Sequence, residues 1–143
     1  MKGFLLDVNL LLALAWESHP HHARAEDWFL GLKRAPWATC TVTELGFIRL
    51  SANPRFTAEP RAPGEARDLL AAMTGVGKYE RWSEPTSGAL SREVAACLRR
   101  AVGHAQVTDA YLVALAAAKG GRVATFDAGL SAVWKLDVEL LSL

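Results

Sequence analysis

Apolar and polar positions change rhythm several times along the chain, and the changes predict its elements. Phe4-Leu5-Leu6 is a short apolar run closed by a charge, Asp7, as a buried strand would be. Residues 8–16 are apolar on nearly every face, which predicts a helix covered by the rest of the fold, and His19-Pro20 breaks it. A second helix is expected over residues 21–35, with Ala25, Trp28, Phe29 and Leu32 at helical spacing and Pro36 as its end. Residues 37–41 are β-rich, and Thr43-Glu44 opens a helix running through Leu45, Ile48 and Leu50. Asn53-Pro54, Pro60 and Pro63-Gly64 mark a loop.

Beyond the loop the pattern predicts a helix over 65–73, a strand over 79–83 and an amphipathic helix over 90–102. That helix turns Val94, Cys97 and Leu98 inward and Arg92, Arg99 and Arg100 outward. Thr108-Asp109 is expected to cap a buried helix over 110–119, which Gly120-Gly121 stops. Residues 122–126 form a strand ending at Asp127, and 138–141 form the last strand. Strands alternating with helices, without repeat or linker, predict a single α/β domain over 1–143 with a mainly parallel sheet.

The 143 residues are 51% hydrophobic, enough for a packed core and too many for a disordered tail. Only two cysteines occur, Cys40 and Cys97, with no metal-binding spacing, so a reducing compartment is expected. Lys2 precedes an apolar stretch, and Ala13-Leu14-Ala15 mimics a signal-peptidase site. Asp7 and Asn9 interrupt the stretch, however, and no apolar run approaches the ~20 residues of a membrane span. The expectation is a soluble, cytoplasmic protein without membrane contact. Net charge is +1, which argues against a simple polybasic nucleic-acid binder.

Four carboxylates stand where the pattern changes: Asp7, Glu44, Asp109 and Asp127. In a parallel α/β sheet, residues just past strand ends gather at the carboxyl edge, where such folds bind ligands. Four close carboxylates repel one another, and a divalent cation removes the conflict; oxygen donors favour Mg²⁺ or Mn²⁺ over zinc. Displacement at phosphorus is the chemistry that needs such a site. Each acid also has an ordinary reading: Asp109 as an N-cap, Asp7 and Asp127 as strand-end turn formers, Glu44 as the complement of a helix dipole.

Leu5-Leu6-Asp7-Val8-Asn9-Leu10-Leu11, Thr43-Glu44-Leu45, Val107-Thr108-Asp109-Ala110-Tyr111-Leu112 and Ala124-Thr125-Phe126-Asp127 resemble, in order, the acidic motifs of the PIN-domain nucleases. The nearest branch is similar to the VapC ribonuclease toxins, over essentially the whole chain. The resemblance implies a three-layer fold with a five-stranded, mainly parallel sheet flanked by helices. It also implies an endoribonuclease dependent on Mg²⁺ or Mn²⁺, a VapB-type antitoxin as partner, and a homodimer. By position Asp7, Glu44, Asp109 and Asp127 would form the acidic site, with Asp7, Asp109 and Asp127 as metal ligands. Asn9 would orient Asp7 or a water held by the metal, and Thr125 would support the last acid. Leu130 departs from the aromatic common in relatives, a difference of packing.

Arg49, Arg55, Arg99 and Arg100, with Arg61 and Arg81, are candidates for gripping an RNA backbone, tRNA or rRNA being possible substrates. Trp37, Trp82 and Tyr79 could stack on bases, although core packing is the ordinary role of tryptophan. His19, His21 and His22 form a cluster without a matching second set, and His104 precedes the Asp109 motif. No GxSxG or Gly-rich phosphate loop occurs. Two rivals to the nuclease reading stay open: a non-catalytic RNA-binding or interaction module, and an Asp7-dependent phosphatase, which normally has Asp where Asn9 stands. If four of the 15 acids form one site, the remainder carries 16 basic against 11 acidic residues, or +5, so the overall +1 says little against RNA.

Overall fold

The computed structural model describes residues 2–84 and 87–143. The elements run β1 Phe4–Leu6, α1 Val8–Ala15, α2 His22–Leu30, β2 Trp37–Thr39, α3 Thr41–Ser51, α4 Pro63–Met73 and β3 Tyr79–Arg81. They continue as α5 Arg92–Arg100, α6 Val107–Ala118, β4 Arg122–Thr125, α7 Ala128–Val133 and β5 Val138–Leu140. All four strand pairings are parallel, in the order β3-β2-β1-β4-β5, with Leu5 opposite Ala38 on one side and Val123 on the other.

Alternation along the strands sorts the core into two layers. Leu6, Trp37 and Ala124 pack with Leu10, Leu11, Ala25, Phe47 and Leu70 of α1 to α4. Leu5, Ala38 and Val123 pack with Val94, Leu112, Leu115 and Leu130 of α5 to α7. Helices therefore cover both faces of the sheet, the expected α/β arrangement, and the central helices α1 and α6 are apolar nearly all round because little of them meets water. Among the described residues no helix is long and apolar enough to cross a membrane. Both cysteines are free thiols.

Several boundaries differ from the sequence pattern, each for a local reason. Helix α2 stops at Leu30, five residues early: Gly31 follows, and Lys33 takes a left-handed backbone with φ 56°, so Leu32 lies in a turn. Pro63-Gly64 are the first turn of α4 and not loop, because proline lacks only a hydrogen that a helix start leaves unpaired anyway. Ser91 accepts the Val94 N–H and starts α5 there, which leaves Leu90 in an exposed 3-10 turn. Helix α6 begins at Val107, so Asp109 lies within its first turn and is not its cap. Helix α7, hidden in six residues too few to show a period, was not legible in the pattern.

Candidate functional site

Parallel pairing brings every strand's carboxyl end to one edge, and β1 and β4 are neighbours there. Asp7 directly follows β1, and its N–H donates to the Ala124 carbonyl at 3.2 Å. Its side chain is buried, 7% exposed, and caps α1: Oδ1 accepts the Leu10 N–H at 2.9 Å, while Oδ2 accepts the Thr125 hydroxyl. The same Thr125 oxygen accepts the Asp127 N–H at 2.9 Å. Asp127 in turn caps α7, its Oδ1 accepting the N–H groups of Gly129 and Leu130 at 2.8 and 3.2 Å. Asp109 enters the same neighbourhood from the first turn of α6. Asp7 and Asp127 thus serve locally as helix N-caps and not as turn formers, yet capping does not use up the carboxylates. Oδ2 of Asp127 and both oxygens of Asp109 have no hydrogen-bond partner among the described residues.

Asp7 feels the charges of Asp109 and Asp127, and Asp109 feels that of Asp127. Burial is the main reason the Asp7 carboxyl is pushed up to about 6; hydrogen bonds from Thr125 and Leu10 oppose it, and the charges of Asp109 and Asp127 reinforce it. Asp109 is also raised to about 6, first by burial and then by Asp127. Groups so placed resist ionisation until a positive charge joins them. All-oxygen donors with unused lone pairs fit a hard divalent cation, which would offset both penalties. As the side chains stand, no three His, Cys, Asp or Glu residues among those described close around one point tightly enough to hold a metal. The site is an open, coupled set of acids without a closed cage.

Glu44 is placed differently. Its Oε2 accepts the Thr39 hydroxyl at 2.8 Å and lies 3.3 Å from the Arg81 guanidinium, and the Thr39 hydroxyl also meets the Tyr79 phenol at 2.6 Å. It does not figure among the charges acting on Asp7 or Asp109. The sequence motif grouped four equal acids; the structure separates three coupled aspartates from a glutamate already paired with arginine. Arg81 was read only as a phosphate-gripping candidate, and nothing in the sequence announced its pairing. Thr39 carried a usable signal, since it ends β2 as Thr125 ends β4, and each threonine donates to an acid.

Other expected residues divide. Asn9 is exposed in the first turn of α1 and makes no hydrogen bond to Asp7; Thr125 holds that carboxylate instead. Arg49, Arg55 and Arg99 are exposed without ion pairs among the described residues, and Arg100 donates to the Val133 carbonyl. The Arg61 guanidinium lies 5.2 Å from the centre of the Trp16 ring. Trp37 and Trp82 are core residues, 1% and 5% exposed, with indole N–H groups bonded to Val76 O and Glu80 Oε1, so neither offers a face to bases. His21 packs 5.2 Å from Phe126, next to Asp127. The ring nitrogens of His19 and His22 already meet the His21 N–H and the Ala13 carbonyl. His104 sits in an exposed 3-10 turn.

Residues 4–136 match the family model described as PIN domain. Ribonuclease VapC38 of Mycobacterium tuberculosis strain H37Rv is 42% identical over 143 residues, covering 97% of this chain and 98% of the relative. Ribonuclease VapC39 of the same strain is 42% identical over 128 residues, covering 89% and 90%. Ribonuclease VapC44 is 43% identical over 129 residues, covering 89% and 87%.

Proposed function

The chain belongs to the PIN-domain family, in its VapC ribonuclease branch, and from that premise we propose a divalent-metal-dependent endoribonuclease that hydrolyses RNA phosphodiesters. The observation that carries the chemistry is the convergence of Asp7, Asp109 and Asp127 from three elements at one sheet edge, two of them resisting ionisation. In this reading the three aspartates hold Mg²⁺ or Mn²⁺, which when bound would lower the pKa of the attacking water and steady the departing oxygen. Thr125 fixes the rotamer of Asp7 and the backbone of Asp127, so both acids keep their aim when the cation is absent. Asn9, exposed in the first turn of α1, is free to hydrogen-bond the incoming water or a phosphate oxygen. Glu44, held by Thr39 and Arg81, acts from the rim as a positioning residue.

Arg49, Arg55, Arg99 and Arg100 lend the basic remainder that draws an RNA backbone toward an acidic centre. The relatives are named VapC ribonucleases, and in this reading the protein is a toxin restrained by a VapB-type antitoxin that works in the cytoplasm as a homodimer. Purified wild type is expected to cut single-stranded RNA in Mg²⁺, while Asp7→Asn and Asp109→Asn, folded to the same extent by circular dichroism, lose at least about a hundredfold in rate. Equal cleavage by all three proteins would remove the aspartates from the reaction.

A further inference from the structure

Arg81 closes β3 as Thr39 closes β2; the two stand opposite each other in the parallel register, and the Trp82 N–H donates to the Thr39 carbonyl at 2.9 Å. At this edge the Arg81 guanidinium meets the start of α3. Its Nη2 donates to the Thr41 hydroxyl at 2.6 Å and lies 3.4 Å from Glu44 Oε1, while Nε lies 3.3 Å from Glu44 Oε2. Glu44 is held in turn. The single Thr39 hydroxyl hydrogen goes to Glu44 Oε2, so the Tyr79 phenol, 2.6 Å away, is the donor to Thr39. Side chains from β2, β3 and α3 thus fix one guanidinium.

With Arg81 48% and Glu44 23% exposed, the pair contributes little to stability, so holding the fold together does not explain the network. What it accomplishes is orientation. The Nε–Nη2 edge of the guanidinium is filled, and Nη1, with two hydrogens, has no partner among the described residues. A guanidinium with one edge fixed to a carboxylate and the rest open is a preformed receptor for an anionic oxygen. The strand order β3-β2-β1 sets Arg81 two strand spacings, about 10 Å, along the edge from Asp7.

We infer that Arg81 holds a phosphate of the RNA strand flanking the one that is cut, and that Glu44 acts on the reaction through Arg81, by pinning its guanidinium. The three aspartates repel the strand they must cut, and a fixed cation on the rim offsets that repulsion without entering the acid set. RNA carries a phosphate at every link, so whichever link lies at the aspartates has a neighbour for Arg81 to meet. A carboxylate from a protein partner lacks the second, linked phosphate that a cation at the aspartates would hold, and gains nothing from the spacing.

The inference rests on the nuclease reading, and its test separates the two. Binding of single-stranded RNA oligonucleotides to the full chain is followed by fluorescence anisotropy in EDTA over a salt series, for wild type and Arg81→Ala. Arg81 is exposed, so its truncation leaves the fold intact, which circular dichroism checks. The variant is expected to bind about tenfold more weakly, alike for oligonucleotides of different sequence. Its slope of log affinity against log salt is expected to be shallower by about 0.7, the share of one phosphate contact on a single strand. An unchanged slope, a loss confined to one sequence, or no RNA binding by wild type at low salt overturns the contact. The second measurement is a double-mutant cycle in kcat/KM. Glu44→Gln is expected to slow cleavage by about tenfold in wild type and by less than about twofold in the Arg81→Ala background, where no guanidinium is left to pin. Equal losses in both backgrounds overturn the pinning. An Arg81-dependent slope in a protein that cuts no RNA supports the contact and sinks the nuclease, whereas RNA cleavage with an unchanged slope overturns the contact alone.

Discussion

The Thr125 hydroxyl donates to Oδ2 of Asp7 while its oxygen accepts the N–H of Asp127, so one side chain on β4 sets two acids of different strands. Hydrogen bonding to the ionised form of Asp7 works against the burial that raises its carboxyl. The threonine is the fixed point from which the acidic edge is built.

Replacing Thr125 with valine keeps the volume and deletes that donor. The Asp7 carboxyl then rises further, and on the proposal that its ionised form holds the cation, the acid limb of the pH–rate profile moves to higher pH. Cleavage at pH 7 falls by about 10- to 100-fold, and Thr125→Ser recovers most of the loss. An acid limb that stays in place in Thr125→Val would show that the hydroxyl does not tune Asp7.

Metal-free stability has a sign that follows from Asp7. Its carboxyl ionises near 3.8 when unfolded and near 6 when folded, so the folded chain keeps a proton that the unfolded chain has lost. The resulting contribution is complete below the unfolded value and is lost as pH rises through 6, a change of about 2–3 kcal/mol at most. Asp109 acts in the same direction. In EDTA, the Tm difference between Asp7→Asn and wild type should therefore be larger at pH 7.5 than at pH 5, with the variant the more stable at the higher pH. A difference independent of pH would contradict this.

Glu44 separates from the aspartates by its partners. Because Thr39 and Arg81 already occupy it, Glu44→Gln is expected to leave Mn²⁺ affinity within about threefold of wild type while slowing cleavage by about tenfold. Calorimetry with Mn²⁺ beside a cleavage assay checks both halves. A loss of Mn²⁺ affinity as large as that of Asp109→Asn would make Glu44 a ligand.

The order of elements, the parallel sheet and the convergence of Asp7 and Asp127 were legible because apolar runs ending in an acid encode both strand and edge. Helix ends were less so: the Gly31 stop and the Ser91 cap act through one or two residues, below the period of any pattern. What no sequence spacing carries is who pairs with whom. Glu44 and Arg81, for example, are 37 positions apart. Trp37 and Trp82 follow the ordinary role of tryptophan, buried by packing and not turned out to stack on bases.

The central claim is that Asp7, Asp109 and Asp127 jointly hold the cation on which cleavage depends. Its most direct test is Mn²⁺ binding, read by electron paramagnetic resonance, to wild type and to the Asp7→Asn, Asp109→Asn and Asp127→Asn variants at pH 7.5, with RNA cleavage followed on the same samples. The account predicts that each substitution weakens Mn²⁺ by at least about tenfold and that cleavage falls with it. Three folded variants that bind Mn²⁺ as wild type does, or that cut RNA equally well in EDTA, would contradict it.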